Sequence, residues 1–486
     1  MEEKALRGVP WTLLAYVGSR AVTLISTLVL ARLLNPADFG LMALAIMATS
    51  FLGWFGNLGF AKTVILRQDL DRRGLGTVLT LTMASSLVFA LIGVGLAPLA
   101  AIAFDDSRLT AIMAVMSSAL LLGGLASYYE AVLERELEFR RRFIGYGAQA
   151  FISAGVAITL AATGAGVWSL VAGQLGGFAA LAFTLTALSP YRVGPRYEPA
   201  IVPRLVRESS GFVAQGITNF IRMNTDSVVV ARAFGTAQLG FYSMAFRLSD
   251  LSYWAIAGPV THVTFPAFAR ARERGEDIRS SFLSVLRMMA LVGIPFGIIL
   301  SAAAEPLTRA LFGEKWLTMI GPLSILGIWA ALRPLETTLS WVLNSIGRAG
   351  SAAWVSVAIL VPLLPAFIIA ANVGRLSAVA LVILADILLA LSMLTFLVRR
   401  HLGVSIAAMW EAVRPMFFAG PAMWLATWSV GRAFGDDSAL LGLPASVLAG
   451  LAVYGAVIWL FDRRLLPRAG SLVLRSFGRA ATATPS

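Results

Sequence analysis

The chain of 486 residues is 58% hydrophobic and only 13% charged, which leaves too few charges to cover a soluble fold of this length. Its 39 Lys and Arg against 26 Asp and Glu give a formal net charge of +13, which in a soluble protein would raise the question of nucleic-acid binding, but here the cations are sorted into alternate connections, a topology signal. Cysteine is absent, which excludes disulfides and thiolate chemistry, and His262 and His401 have no metal-ligand spacing around them.

Apolar stretches of about twenty residues recur along almost the whole chain, and a helix of that length crosses a hydrocarbon core of about 30 Å. In chain order they predict membrane helices at 11–30, 41–59, 78–97, 109–128, 143–160 and 167–188, then at 211–230, 241–261, 285–304, 319–340, 352–371, 378–398, 413–430 and 440–460. The first span lacks a small-residue cleavage signature and is expected to be retained. The expected fold is all-α and polytopic, with 14 transmembrane helices in two six-helix bundles around a central cavity plus two C-terminal helices. The expected division is an N-terminal lobe at 1–190, an inter-lobe loop at 191–208, a second lobe at 209–400, two further helices in 401–462 and a basic tail at 463–486.

Lys and Arg crowd into alternate connections. Arg140, Arg141 and Arg142 precede the fifth span, Arg192 and Arg196 follow the sixth, and Arg399 and Arg400 follow the twelfth; the intervening connections hold scattered cations such as Arg32, Arg232 and Arg375. By the positive-inside rule both termini are expected to be cytoplasmic, in the inner membrane of a bacterium. The outward connections are all short, leaving little room for an external catalytic domain. The inward segment 129–142, YEAVLERELEFRRR, reads as a helix end whose arginines meet lipid headgroups.

VLARLLNPADFGLM at 29–42 and VVARAFGTAQLGFY at 229–242 share an Ala-Arg pair and an apolar residue followed by glycine, at a constant offset of 200. A weaker echo places LAAIAFDD at 99–106 opposite LTRALFGE at 307–314. Each copy occupies the same connection in its half, so the halves read as six-helix repeats of the same direction, a transporter design.

A charge at membrane depth must face protein, water or a partner. Arg222 with Asp226, Arg247 with Asp250 and Arg333 with Glu336 are spaced to meet on one helical face, so each pair reads either as self-neutralising or as part of a site. Arg20 and Arg287 have no acid three or four residues away and are candidates for an anionic substrate, because a guanidinium fork matches phosphate or carboxylate oxygens. The candidate substrate-binding set is Arg20, Arg287, Arg222, Arg247, Asn219 and Asn224, where the asparagines read equally as interhelical hydrogen-bonding groups. Asp386, with apolar neighbours on its own helix, is an ion-coupling candidate alongside Asp226 and Asp250, or else a protonated side chain bonded to its neighbours. No metal site, cofactor or nucleotide-binding P-loop is expected.

VLARLLNPADFGLMALA at 29–45, FGNLGFAKTVILRQ at 55–68, ERELEFRR at 134–141, LGFYSMAF at 239–246, TFPAFAR at 264–270 and LFGEKW at 311–316 together resemble the bacterial polysaccharide flippases. The likeness is to exporters of the colanic-acid and teichuronic-acid type, in a superfamily that includes multidrug exporters and lipid II flippases. That resemblance implies a non-enzymatic transporter that flips undecaprenyl-pyrophosphate-linked oligosaccharide from the cytoplasmic to the periplasmic leaflet by alternating access, coupled to an ion gradient. The implied partners are the lipid-linked anionic oligosaccharide, membrane lipids, and polysaccharide polymerase and export machinery, with no nucleic acid and a single copy as the working unit. A cation-coupled multidrug or metabolite exporter of the same superfamily is the alternative.

Overall fold

A computed structural model describes residues 2–57, 63–65, 70–190, 194–257, 268, 274, 277–434 and 439–461, with side chains described throughout these except at 2–17, 56–57, 204–219, 254–255, 349 and 439–440. The chain divides into two compact units, Met1–Gly240 and Phe241–Ser486.

The first unit contains α1 (Glu2–Leu33), α2 (Pro36–Asn57), α3 (Arg72–Phe104), α4 (Arg108–Ser117), α5 (Ala119–Arg135), α6 (Phe139–Ala162), α7 (Val167–Leu188) and α8 (Val202–Phe234). It closes with the first turn of α9 (Thr236–Ser252), whose remainder belongs to the second unit. The second unit continues through a π-helical turn at Tyr253–Ala257, then α10 (Arg279–Ala302), α11 (Ile320–Ser345), α12 (Ala349–Asn372), α13 (Leu376–Leu402), α14 (Ile406–Ala433) and α15 (Ala439–Phe461).

Helix underlies the described part of every predicted span, with 109–128 divided between α4 and α5. Among the described residues, ten helical stretches are long and apolar enough to cross a membrane. The stretches at 211–230 and 241–261 lie partly outside the described side chains, and 413–430 is not among the ten because Arg414, Pro415 and Pro421 dilute its apolar character. In 11–30 the side chains up to residue 17 lie outside the described set. The basic tail at 463–486 and His262 also lie outside the described residues.

Burial runs in the sense a bilayer demands. Large apolar side chains such as Ile102, Phe183, Val361 and Leu441 are exposed, whereas Thr77, Thr82, Ser86, Ser117 and Thr338 are buried. Water-soluble folds reverse this order; in lipid the outward face is apolar and helices pack through small polar residues. Four of these hydroxyls, on Thr77, Thr82, Ser117 and Thr338, are satisfied within their own helices, as where Thr82 donates to the Val78 carbonyl at 2.8 Å and Ser117 to that of Met113 at 2.8 Å. In the second unit Gly297 of α10 lies so close to Gly327 and Ala331 of α11 that a Cβ on it would overlap their backbone. Close backbone approach of this kind replaces hydrophobic burial, which drives no helix association in lipid.

The segment at 129–142, expected to face inward, makes more protein contacts than a solvated helix end would. Its arginines staple helix ends together instead of facing headgroups alone: Arg142 pairs with Glu130 at 2.7 Å and Glu134 at 3.2 Å, Arg141 donates to the Leu188 carbonyl at 2.8 Å, and Arg135 to that of Leu70 at 3.1 Å.

Candidate functional site

The 200-residue repeat has a structural counterpart in the first unit. α2 opens with Pro36 at its first position, and the Asp38 carboxylate accepts from the Asn35 backbone N–H at 3.0 Å, as a carboxylate in a first helical turn does. α9 opens with Thr236 one repeat later. Gly40 packs onto the carbonyl of Thr236, and Gly240 onto the carbonyl of Pro36, each so closely that a Cβ would overlap the backbone opposite. The two copies of the motif therefore meet in a reciprocal contact. Asp106, in the connection after α3, joins it: Arg108 donates to Asp106 at 2.8 and 3.0 Å, and Thr236 also hydrogen-bonds this carboxylate. The bond from Arg108 holds the Asp106 carboxyl below its ordinary value, against the opposing effect of burial.

The remaining first-unit candidates lie on α1 and α8. Arg20 is exposed on α1 and engages a neighbouring group. On α8, which packs on α2 through Phe220 against Phe51 at 4.9 Å, Arg222 is half-buried and Asp226 is 3% exposed, and both are engaged. Asn224 donates to the Phe220 carbonyl at 2.9 Å in its own helix, so it supplies no interhelical bond through that contact. The Asn219 side chain lies outside the described set.

The second unit gathers charges that the sequence keeps apart. Arg333 of α11 pairs with Glu336 at 2.8 Å, both nearly buried. Its guanidinium is also held in the field of Asp250 from α9 and Asp386 from α13, and lies 5.4 Å from the Tyr253 ring centroid and 5.5 Å from that of Trp329. Aromatic faces and carboxylates both stabilise a cation removed from water. Tyr253 opens the π-helical turn that ends α9, a local widening that recurs at functional sites.

Arg333 and Glu336 meet as their spacing predicts, whereas Arg247 and Asp250 do not. Asp250 turns its charge toward Arg333, and among the described residues no carboxylate lies within ion-pair distance of Arg247 or Arg287. The Arg247 side chain is exposed. Arg287 is half-buried two turns into α10. Asp386, 9% exposed, lacks an acid or base on its own helix face but gains Arg333 from α11. Among the described residues there is no cluster of three or more potential metal ligands.

The family model for polysaccharide biosynthesis proteins matches residues 29–321. The chain belongs to that family. It is 28% identical to the succinoglycan biosynthesis transport protein ExoT of Rhizobium meliloti, over 98% of this chain and 97% of that protein. It is 24% identical to the teichuronic acid biosynthesis protein TuaB of Bacillus subtilis, over 93% and 94% respectively. Its fold is similar to the lipid II flippase MurJ in an inward closed conformation, with a TM-score of 0.77 at 15% identity, covering 94% of this chain and 99% of that one. The chain is accordingly an all-α, multi-pass protein of the bacterial inner-membrane type.

Proposed function

We propose that the chain carries undecaprenyl-pyrophosphate-linked oligosaccharide repeat units from the cytoplasmic to the periplasmic leaflet by alternating access, for surface polysaccharide synthesis. It is a transporter and not an enzyme. The observation that supports this most is Arg247: a guanidinium on a membrane-type helix, accessible, and without a carboxylate at ion-pair distance among the described residues. A cation so placed on a membrane helix is expensive unless an anion visits it, and a pyrophosphate is such an anion.

Arg20, Arg222 and Arg287 extend the same anion-binding role along α1, α8 and α10, and Asn219 and Asn224 offer hydrogen bonds to sugars. Asp386, Asp226 and Asp250 are the ion-coupling groups. The architecture proposed around them is fourteen spans, with lobes at 1–190 and 209–400 joined by 191–208, two added helices in 401–462, and an inward tail at 463–486. Both termini are cytoplasmic in this arrangement, and polysaccharide polymerase and export machinery receive the cargo from a single working copy.

Reconstitution into sealed vesicles with undecaprenyl-pyrophosphate-linked glycan on one leaflet tests the proposal. Protein-dependent appearance of glycan on the opposite leaflet, accelerated by a proton or sodium gradient, is the expected result. Vesicles that release no glycan under either gradient reject it.

A further inference from the structure

We infer that the inward ends of α12 and α13 form a dedicated site for an anionic phospholipid, with the phosphate on Arg400 and His401 and an acyl chain along Trp354 and Phe396. A recess of about 640 Å³ lies between these helices and is lined by Ser351, Trp354, Ser392, Phe396, Arg400 and His401 among others. Its volume falls in the range of roughly 300–1,000 Å³ typical of small-molecule sites. Trp354 and Phe396 are 67% and 56% exposed, so the apolar wall opens sideways to lipid, while Ser351, Arg400 and His401 lie toward the helix ends.

Capping does not occupy these cations. Gly403 closes α13 by donating its N–H to the Arg399 carbonyl at 3.1 Å, and Arg279 donates to the Leu402 carbonyl at 2.9 Å. Among the described residues no carboxylate lies within ion-pair distance of Arg400 or His401. The described lining contains no acid, so a choline or ethanolamine ammonium finds no carboxylate there, only the faces of Trp354 and Phe396. A headgroup of net negative charge is what the recess complements, as basic pockets between membrane helices do. The site is separate from the buried charges on α9, α11 and α13, and its occupation does not depend on what the protein transports.

The test is native mass spectrometry of the delipidated full chain titrated with phosphatidylglycerol or phosphatidylcholine. Wild type should retain phosphatidylglycerol at least about fivefold better, the ratio expected from about 1 kcal/mol per basic residue. The paired substitution Arg400→Gln with His401→Gln should abolish that preference. Arg375→Gln, at the other end of the same two helices, should keep it, and Trp354→Ala should weaken retention of both lipids. Equal retention of the two lipids by wild type, or an undiminished preference in the doubly substituted chain, overturns the assignment. Displacement of phosphatidylglycerol by equimolar glycerol phosphate would make the occupant a soluble anion, and preferential displacement by undecaprenyl phosphate would make it cargo; either outcome also overturns it.

Discussion

Gly40 and Gly240, exactly one repeat length apart, each pack onto the backbone that opens the other's helix, Gly40 on the Thr236 carbonyl and Gly240 on that of Pro36. Neither contact tolerates a Cβ, and backbone cannot step aside as the tip of a flexible side chain can. Gly40→Ala and Gly240→Ala are therefore expected to push the two connections apart at a cost of about 1–3 kcal/mol. The chain is naturally free of cysteine, so a single Cys at Asn35 reports directly. Its reaction with a membrane-impermeant maleimide should quicken several-fold in either glycine variant, and an unchanged rate would show that the contact can relax without opening.

Asp106 ties the same junction to the end of α3, and its pH response follows from the direction of its shift. Arg108 holds its carboxyl below 3.8, so the ionised, bonded form contributes stability in full above the ordinary aspartate value. That contribution is lost as pH falls through the lower folded value. Labelling at residue 35, expressed at each pH relative to a small free thiol so that the thiolate fraction cancels, should stay flat from pH 8 to about pH 5 and rise only in stronger acid. Asp106→Asn should show the raised level already at neutral pH, and identical profiles for the two proteins would remove Asp106 from the junction.

Arg333 and Glu336 share a nearly buried ion pair. Removing one partner leaves the other charged and without its counter-ion, at a cost of about 3–5 kcal/mol, whereas removing both is much milder. Thermal unfolding in detergent should show Arg333→Met or Glu336→Gln each lowering the midpoint more than the double variant does. Additive losses would mean that Asp250 and Asp386 satisfy Arg333 without Glu336.

Asp386 lies in the field of Arg333 across α11 and α13, a position from which loss or gain of its charge is felt on both helices. Asp386→Asn is expected to fold and to move cargo at a basal rate that a proton or sodium gradient no longer increases. Gradient stimulation equal to that of wild type would remove Asp386 from the coupling role.

The helices were legible because an apolar run long enough to cross a bilayer is a one-dimensional signal, and α7 begins and ends where its apolar run does. The charged cluster was not. Arg247 and Asp250 are three residues apart, but α9 turns Asp250 toward Arg333 on another helix, and helical spacing carries no information about a partner 83 positions away. Asp386 presented the same difficulty in reverse, solitary along its own helix yet flanked in three dimensions. The repeat was visible as two similar strings, but similarity gave no sign that the copies touch. Only the overlap of Gly40 with Thr236 explains why glycine stands at both positions.

The most direct measurement of the central claim compares wild type with Arg247→Ala in the same sealed vesicles, offered lipid-linked glycan and, separately, a small lipophilic cation. A charge-assisted bond to phosphate is worth about 1.5–3 kcal/mol, so the variant should move the glycan lipid about ten- to hundredfold more slowly while retaining the wild-type unfolding temperature. The cation should cross at the protein-free rate in both. Glycan transfer unaffected by the substitution, or protein-dependent passage of the cation with none of the glycan, would contradict the account.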